Sequence, residues 1–292
     1  PGETVVVCQN GVFGGRMKEN VIRVGATPVM VQDDFGTAID LNKVEAALKA
    51  NPGARALAFV HAETSTGVES DAQALIKLAH EHGALAIVDA VTSLGGIPLY
   101  VDAWGADAIY SGSQKCLSAP PGLSPLSFGE RAVAALKARK TPVQSWFLDL
   151  SLVMAYWQGE GARSYHHTAP INMLYALHES LLMLQEEGLE AAWARHRANH
   201  LRLRDGLQEL GLELLVDERH RLPQLNAVRI PAGVDDLPVR KRLLDEHSIE
   251  IGAGLGALAG KIWRIGLMGA SSSPDSVDRV LAALAKVLGR SM

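Results

Sequence analysis

Short apolar runs alternate with helical patterns from the first residues to about residue 130. The runs at 4–8, 28–31, 56–60, 84–89 and 106–110 predict strands. Between them, residues 40–50 set Leu41, Val44, Ala47 and Leu48 at helical spacing. Residues 70–82 do the same with Ala72, Leu75, Ile76, Leu78 and Ala79, with Ser70 as the expected N-cap and Gly83 past the end. Alternation of this kind predicts an α/β fold, a mostly parallel sheet covered by helices.

The pattern changes in the second half. A long helical stretch begins near Ile171, and Gly188 breaks it before a second helix that runs to Gly211. Strands are expected at 212–216, 226–230, 250–252 and 261–265, with helices at 236–247 and 274–288. A domain change is expected near Gly188, and there is no repeat or low-complexity segment.

Composition narrows the function classes. With 28 Lys and Arg against 32 Asp and Glu, the net charge of −4 offers no footprint for nucleic acid or an anionic membrane. No apolar run approaches the roughly 18 residues of a membrane span. Two cysteines, Cys8 and Cys116, are too few for a disulfide framework. The expectation is a soluble, cytoplasmic protein in a reducing compartment. The chain opens at Pro1, directly before a predicted buried strand, so further residues are expected upstream.

Ligands of open α/β sheets bind beyond the carboxyl ends of the strands, so the strand ends are where chemistry is sought. The run ending at Val60 leads into His61-Ala-Glu-Thr-Ser-Thr-Gly67, a cluster of hydroxyls closed by a glycine. The next run ends in Asp89, and the one after it leads into Ser111-Gly-Ser-Gln-Lys115. A carboxylate, hydroxyls, an amide and an amine thus converge on one edge. Taken alone, Lys115 reads as a surface lysine and Asp89 as a helix N-cap. Placed between a buried strand and a Pro-Pro-Gly turn, however, Lys115 is a plausible desolvated amine, of lowered pKa and nucleophilic enough to form an imine. Asp89 then suits the protonated nitrogen of a pyridine ring, keeping that ring an electron sink. The pair is what pyridoxal phosphate chemistry requires. The adjacent His166 and His167 raise the question of a metal, but neighbours in an extended segment point to opposite sides and no cysteine or acidic set completes a site, so none is expected.

HAETSTGV (61–68), VDAVTSLGGIPLYVDAWGADAIYSGSQKCLSAPPG (88–122), YHHTAP (165–170) and GKIWRIGLMG (260–269) closely resemble the alanine–glyoxylate (serine–pyruvate) aminotransferases. These are class V, fold-type I, pyridoxal-phosphate enzymes, and the resemblance runs from NGVFGGR (10–16) to the last helix. It implies a large cofactor-binding domain (1–188) with a mostly parallel sheet, and a smaller C-terminal α+β domain (189–292). Lys115 would be the Schiff-base lysine and Asp89 the partner of the pyridine nitrogen. Gln114 matches a phosphate ligand and Thr64 a hydroxyl close to the ring. Phe13 stands where the family usually stacks a Trp on the ring, and keeps the stacking face with less area and no N–H. Tyr165 and Thr168 would reach across a homodimer interface to the partner's cofactor phosphate, and Arg264 would bind the substrate carboxylate.

The implied activity is a ping-pong transamination with alanine or serine as donor and glyoxylate or a similar small keto acid as acceptor. Another class V reaction is the alternative: a kynurenine-type transaminase, a lyase or a desulfurase. Cys116 adjoins the lysine, but a small buried hydrophobe is expected there rather than a reactive thiol. The resemblance also implies an upstream Gly/Ser-rich phosphate loop and an arm around the partner subunit, neither of which is in this sequence. A truncated, inactive chain is therefore a further alternative.

Overall fold

The computed structural model describes residues 1–158 and 165–290. Its first half is built on β1 (Thr4–Gln9), α1 (Val12–Arg23), β2 (Thr27–Gln32), α2 (Leu41–Ala50) and β3 (Ala56–Val60). A small hairpin, β4 (Ala62–Glu63) and β5 (Val68–Glu69), follows, then α3 (Ala72–Glu81), β6 (Leu85–Asp89), α4 (Val101–Trp104), β7 (Ala108–Tyr110), β8 (Leu126–Phe128) and α5 (Glu130–Lys137). Six strands form one sheet in the order β2-β1-β3-β6-β7-β8. All neighbours run parallel except β8, which is antiparallel to β7.

Both faces of this sheet are covered, which explains why its strands read as unbroken apolar runs. Along β1, Val6 and Cys8 point into a core shared with α2 and α3, while Val5 and Val7 point into a second core with Met17 and Phe13 of α1. All five residues of β3 are buried. The helices on the first face start at side-chain caps: Asp40 accepts from Asn42 N at 2.8 Å, and Asp71 from Ala74 N at 2.9 Å. Asp71, not Ser70, thus caps α3. Ser70 is buried instead, and its hydroxyl meets Asn10 Nδ2 and Ile39 N, tying the end of β1 to the start of α2. Helix α1 was not expected from VFGGRMKENVIR, whose two glycines are poor helix formers. Gly14 is there for clearance: a Cβ would stand 2.5 Å from the Cys8 carbonyl oxygen.

The second half comprises α6 (Leu150–Gln158), α7 (Ile171–Glu187), α8 (Leu189–Glu209), β9 (Leu225–Arg229), α9 (Asp236–His247), β10 (Gly252–Ala253), β11 (Ile262–Gly266) and α10 (Pro274–Leu288). An antiparallel sheet in the order β10-β11-β9 shares a separate core with α8, α9 and α10, around the fully buried Trp263, Leu203, Leu207 and Leu243. The strand expected at 212–216 shrinks to a single bridge between Leu214 and Val228. The run has no room to extend, because Asp217 accepts from Arg219 N and starts a tight turn at once. The short strand expected at 250–252 forms two residues further on.

Candidate active site

Because β1, β3, β6 and β7 are adjacent and parallel, their carboxyl ends share one edge. Asp89 is the last residue of β6, and Phe13, Thr64 and Lys115 follow the ends of β1, β3 and β7 within five residues. The residues directly after Asp89 form a turn and α4 starts only at Val101, so Asp89 is not a helix N-cap. Its carboxylate closes a local turn, with Oδ1 accepting from Val91 N at 2.9 Å. Its other oxygen, Oδ2, accepts from the Tyr110 hydroxyl at 2.9 Å, and Asp89 and Tyr110 are direct partners in the β6–β7 register. Burial pushes the Asp89 pKa up, while these two donors and the nearby Lys115 charge oppose the rise. Tyr110 is pushed far above its ordinary value by burial and by the Asp89 charge, so it stays a donor.

The lysine segment is fixed by its backbone. The Pro-Pro-Gly turn folds back so that Ser113 Oγ donates to the Pro120 carbonyl at 2.6 Å and Ser111 N donates to that of Pro125 at 2.7 Å. Ser118 takes a left-handed conformation, φ +62°, that a serine rarely adopts. Its hydroxyl accepts from Ala270 N at 2.8 Å, which ties the lysine segment to the turn after β11. Lys115 itself is half-buried, and among the described residues its amine has no hydrogen-bond or ion-pair partner. Burial, followed by the neighbouring Arg264 charge, lowers its pKa. Cys116 is buried, and burial pushes its thiol up to about 12, so the small buried hydrophobe expected there is found.

Arg264 comes from β11 in the other half of the molecule. Its Nε donates to the Ala253 carbonyl at 2.7 Å and its Nη1 to the Thr64 carbonyl at 3.2 Å. These anchors aim the guanidinium, and among the described residues no carboxylate pairs with it. Its pKa is lowered by burial, with only the Glu63 charge opposing. Phe13 packs partly buried beside Met17, Val5 and Val7, and the Arg16 guanidinium lies 4.8 Å from its ring centroid. Gln114 is exposed and turned back over Gly112.

Tyr165 and Thr168 are not drawn into this cluster. Both are exposed, and their hydroxyls bond each other. The histidines between them do not point apart as expected: His166 Nδ1 meets His167 Nδ1 at 2.8 Å, and the His166 ring packs on Trp146 with centroids 4.2 Å apart. Two residues of the cluster escape a reading by strand ends. Tyr110 would have required the strand register, and Glu63 the position of α1.

Known proteins bear on this arrangement directly. The model of the aminotransferase class-V family matches residues 2–277. The alanine–glyoxylate aminotransferase of Mus musculus is 40% identical over 290 residues, covering 99% of this chain and 70% of the mouse protein. The (S)-ureidoglycine–glyoxylate transaminase of Bacillus subtilis is 38% identical over 308 residues, covering 99% of this chain and 73% of the bacterial one. The crystal structure of the alanine–glyoxylate aminotransferase from Nostoc sp. superposes with a TM-score of 0.96 at 46% identity, over 99% of this chain and 76% of that one. A cysteine desulfurase from Thermococcus onnurineus, at 18% identity and a TM-score of 0.75, shares the fold alone. The α/β, fold-type I expectation therefore holds, and so does the resemblance of the four segments: the chain belongs to the class-V aminotransferase family.

Proposed function

We propose that this chain is a transaminase that uses pyridoxal 5′-phosphate to move the amino group of alanine or serine to glyoxylate or a similar small keto acid. The observation that carries the reading is Arg264, a half-buried guanidinium aimed by two backbone carbonyls, unpaired with any carboxylate among the described residues, and close enough to Lys115 to lower its pKa. Such a fork grips a substrate carboxylate through parallel hydrogen bonds. Two of the relatives act, by name, on glyoxylate with different amino donors, which supports the acceptor more strongly than the donor.

The residues present fit the cofactor on their own chemistry. Asp89 is a buried carboxylate held only by neutral donors, as a partner for a ring-nitrogen cation must be. Lys115 is a half-buried amine of lowered pKa without a partner among the described residues. When bound, pyridoxal phosphate supplies an aldehyde that captures amines and a protonated ring that draws electrons from the substrate's α-carbon. Asp89 would hold the ring nitrogen's proton, Phe13 would stack on the ring, and Thr64 would offer its hydroxyl beside it. Gln114 would hold the phosphate. Arg264 orients the substrate so that its α-hydrogen faces Lys115. The Lys115 amine takes that proton and later returns one, acting as base and then acid. The donor leaves as a keto acid, and the acceptor retraces the steps in a ping-pong cycle.

The assembly we propose is a homodimer with shared sites, in which Tyr165 and Thr168 serve the partner's phosphate. Helix α7 supports it: among its 17 residues none is buried, although Ile171, Leu174, Tyr175, Leu181, Leu182 and Met183 are large and apolar. We also propose a domain change at Gly188, between α7 and α8, with domains 1–188 and 189–292. No helix among the described residues is long and apolar enough to cross a membrane. Two free, buried thiols support a reducing, cytoplasmic setting.

The test is a panel of amino donors with glyoxylate. Pyruvate formed from alanine, or the corresponding keto acid from serine, supports the reading. Turnover of cysteine or a kynurenine with neither alanine nor serine overturns it. Borohydride added with the cofactor should tag Lys115, and a tag on Lys137 or Lys140 instead would refute the assignment of the lysine.

A further inference from the structure

Glu63 is fully buried, yet no cation pairs with it among the described residues. It is surrounded by donors. Its Oε2 accepts from Phe13 N at 3.1 Å and Gly14 N at 3.4 Å, and its Oε1 accepts from Ser65 N at 3.0 Å and Ser65 Oγ at 2.6 Å. Ser65 Oγ in turn accepts from Val12 N at 2.9 Å. The first three amides of α1 are therefore satisfied by a loop some 50 residues away in sequence. Its own N-cap residue, Gly11, has no side chain to offer. Gly11 is extended, with φ −174°, so its backbone would accept any residue. What excludes a side chain is Glu63: a Cβ on Gly11 would stand 2.3 Å from Glu63 Cγ and Cδ.

The same loop carries Thr64, whose carbonyl anchors Arg264. One hydrogen-bonded frame thus joins the residue that presents an aromatic face, the residue that presents a hydroxyl, and the cation. A buried carboxylate at a helix N-terminus also gains from the helix dipole, which favours the ionised form. Burial raises the Glu63 pKa, and the bonds from Ser65, Gly14 and Phe13 pull against that rise.

We infer that Glu63 is a positioning residue: by capping α1 from the neighbouring loop it sets the plane of the Phe13 ring against the cofactor, and Gly11 is the clearance that lets it do so. The inference rests on the proposed cofactor reading, since Phe13 has a stacking role only there. It extends that reading to two residues that touch neither cofactor nor substrate. A glutamine at 63 leaves one acceptor oxygen for two positions that both face N–H donors, so the isosteric change sets its NH2 against either the α1 amides or Ser65 N and weakens the cap.

The test has two arms. In cofactor-free protein, amide hydrogen exchange at Val12, Phe13 and Gly14 should rise about tenfold in Glu63→Gln, the scale of a lost N-cap. In the second arm, pyridoxal phosphate affinity is read from visible absorbance across a double-mutant cycle with Phe13→Ala. Glu63→Gln should weaken binding about tenfold in the wild-type background and less than about twofold once Phe13 is gone. Gly11→Ala keeps the carboxylate and displaces it, so it should reproduce both effects if Glu63→Gln fails to fold. Equal losses with and without Phe13 would show that Glu63 does not act through the ring, and unchanged exchange in both Glu63→Gln and Gly11→Ala would show that it does not cap α1. Either result overturns the inference while leaving the transaminase reading intact. A wild-type chain that binds no pyridoxal phosphate, with exchange responding as expected, overturns the transaminase reading and the ring-positioning role with it.

Discussion

Asp89 holds the end of β6 in place and, on the proposed reading, serves the chemistry as well. Its Oδ1 closes the turn after β6, while its Oδ2 is steadied by Tyr110 from the next strand. A neutral amide in its place could still close the turn but would not hold a proton on a ring nitrogen. We therefore expect Asp89→Asn to keep a wild-type unfolding temperature within a few degrees and to lose transamination by about tenfold to a hundredfold, the rate equivalent of a charged hydrogen bond. Circular dichroism and a coupled keto-acid assay check the two halves, and near-normal turnover would refute the ring-nitrogen role. At this scale the sequence was informative where chemistry sits at a strand end. Asp89 and Lys115 could be picked out because apolar runs stop there. Glu63 and Tyr110 could not, because their partners lie 50 and 21 residues away and are brought close only by α1 packing and strand register.

Among the elements, α8 carries a feature with a consequence for pH. Its buried His196 bonds through Nδ1 to the Ala192 carbonyl, and its Nε2 accepts from Gly269 N at 2.9 Å, in the turn that follows Arg264's strand. One turn on, His200 bonds Asn226 of β9 at 2.6 Å. Burial lowers the pKa of both, that of His200 to about 4 from 6.5. The unfolded chain thus takes up protons on these groups before the folded chain does. The stability that His200 contributes is full above about pH 6.5 and is lost as pH falls toward 4, and His196 acts in the same direction. We expect the unfolding free energy to drop across that window by as much as about 1.4 kcal/mol per pH unit per group. His200→Gln should flatten the slope, and denaturant titrations at several pH values would measure it. An unchanged slope would mean that His200 is already charged in the fold. Helix α8 itself was legible from its spacing and its glycine boundaries. Helix α1 was hidden because its two glycines serve close packing and its cap comes from elsewhere in the chain. The strand at 212–216 was over-read, since an apolar run says nothing of the turn that truncates its pairing.

For the whole molecule, the open question is where the exposed hydroxyls of Tyr165 and Thr168 act. Within one chain they bond each other and not the Lys115 cluster. Of the large hydrophobics that stand exposed among the described residues, most fall between Trp146 and Leu189, the stretch that brackets those hydroxyls. A two-fold dimer through this stretch would cover the apolar side chains and carry each pair of hydroxyls to the other chain's site. Cofactor binding and association would then be linked, because a ligand that binds only the dimer shifts the equilibrium toward it. Tyr165→Phe with Thr168→Ala should weaken cofactor retention, and dilution should worsen the loss. The sharper measurement mixes this double variant with Lys115→Ala. Each is poor alone, yet in the mixed dimer one site has both the lysine and the hydroxyls, so activity should return to about a quarter of wild type, since half the dimers are mixed and each has one intact site. No recovery, with subunit exchange demonstrated by differently tagged chains, would mean that the hydroxyls serve their own chain and that the apolar stretch is covered for another reason.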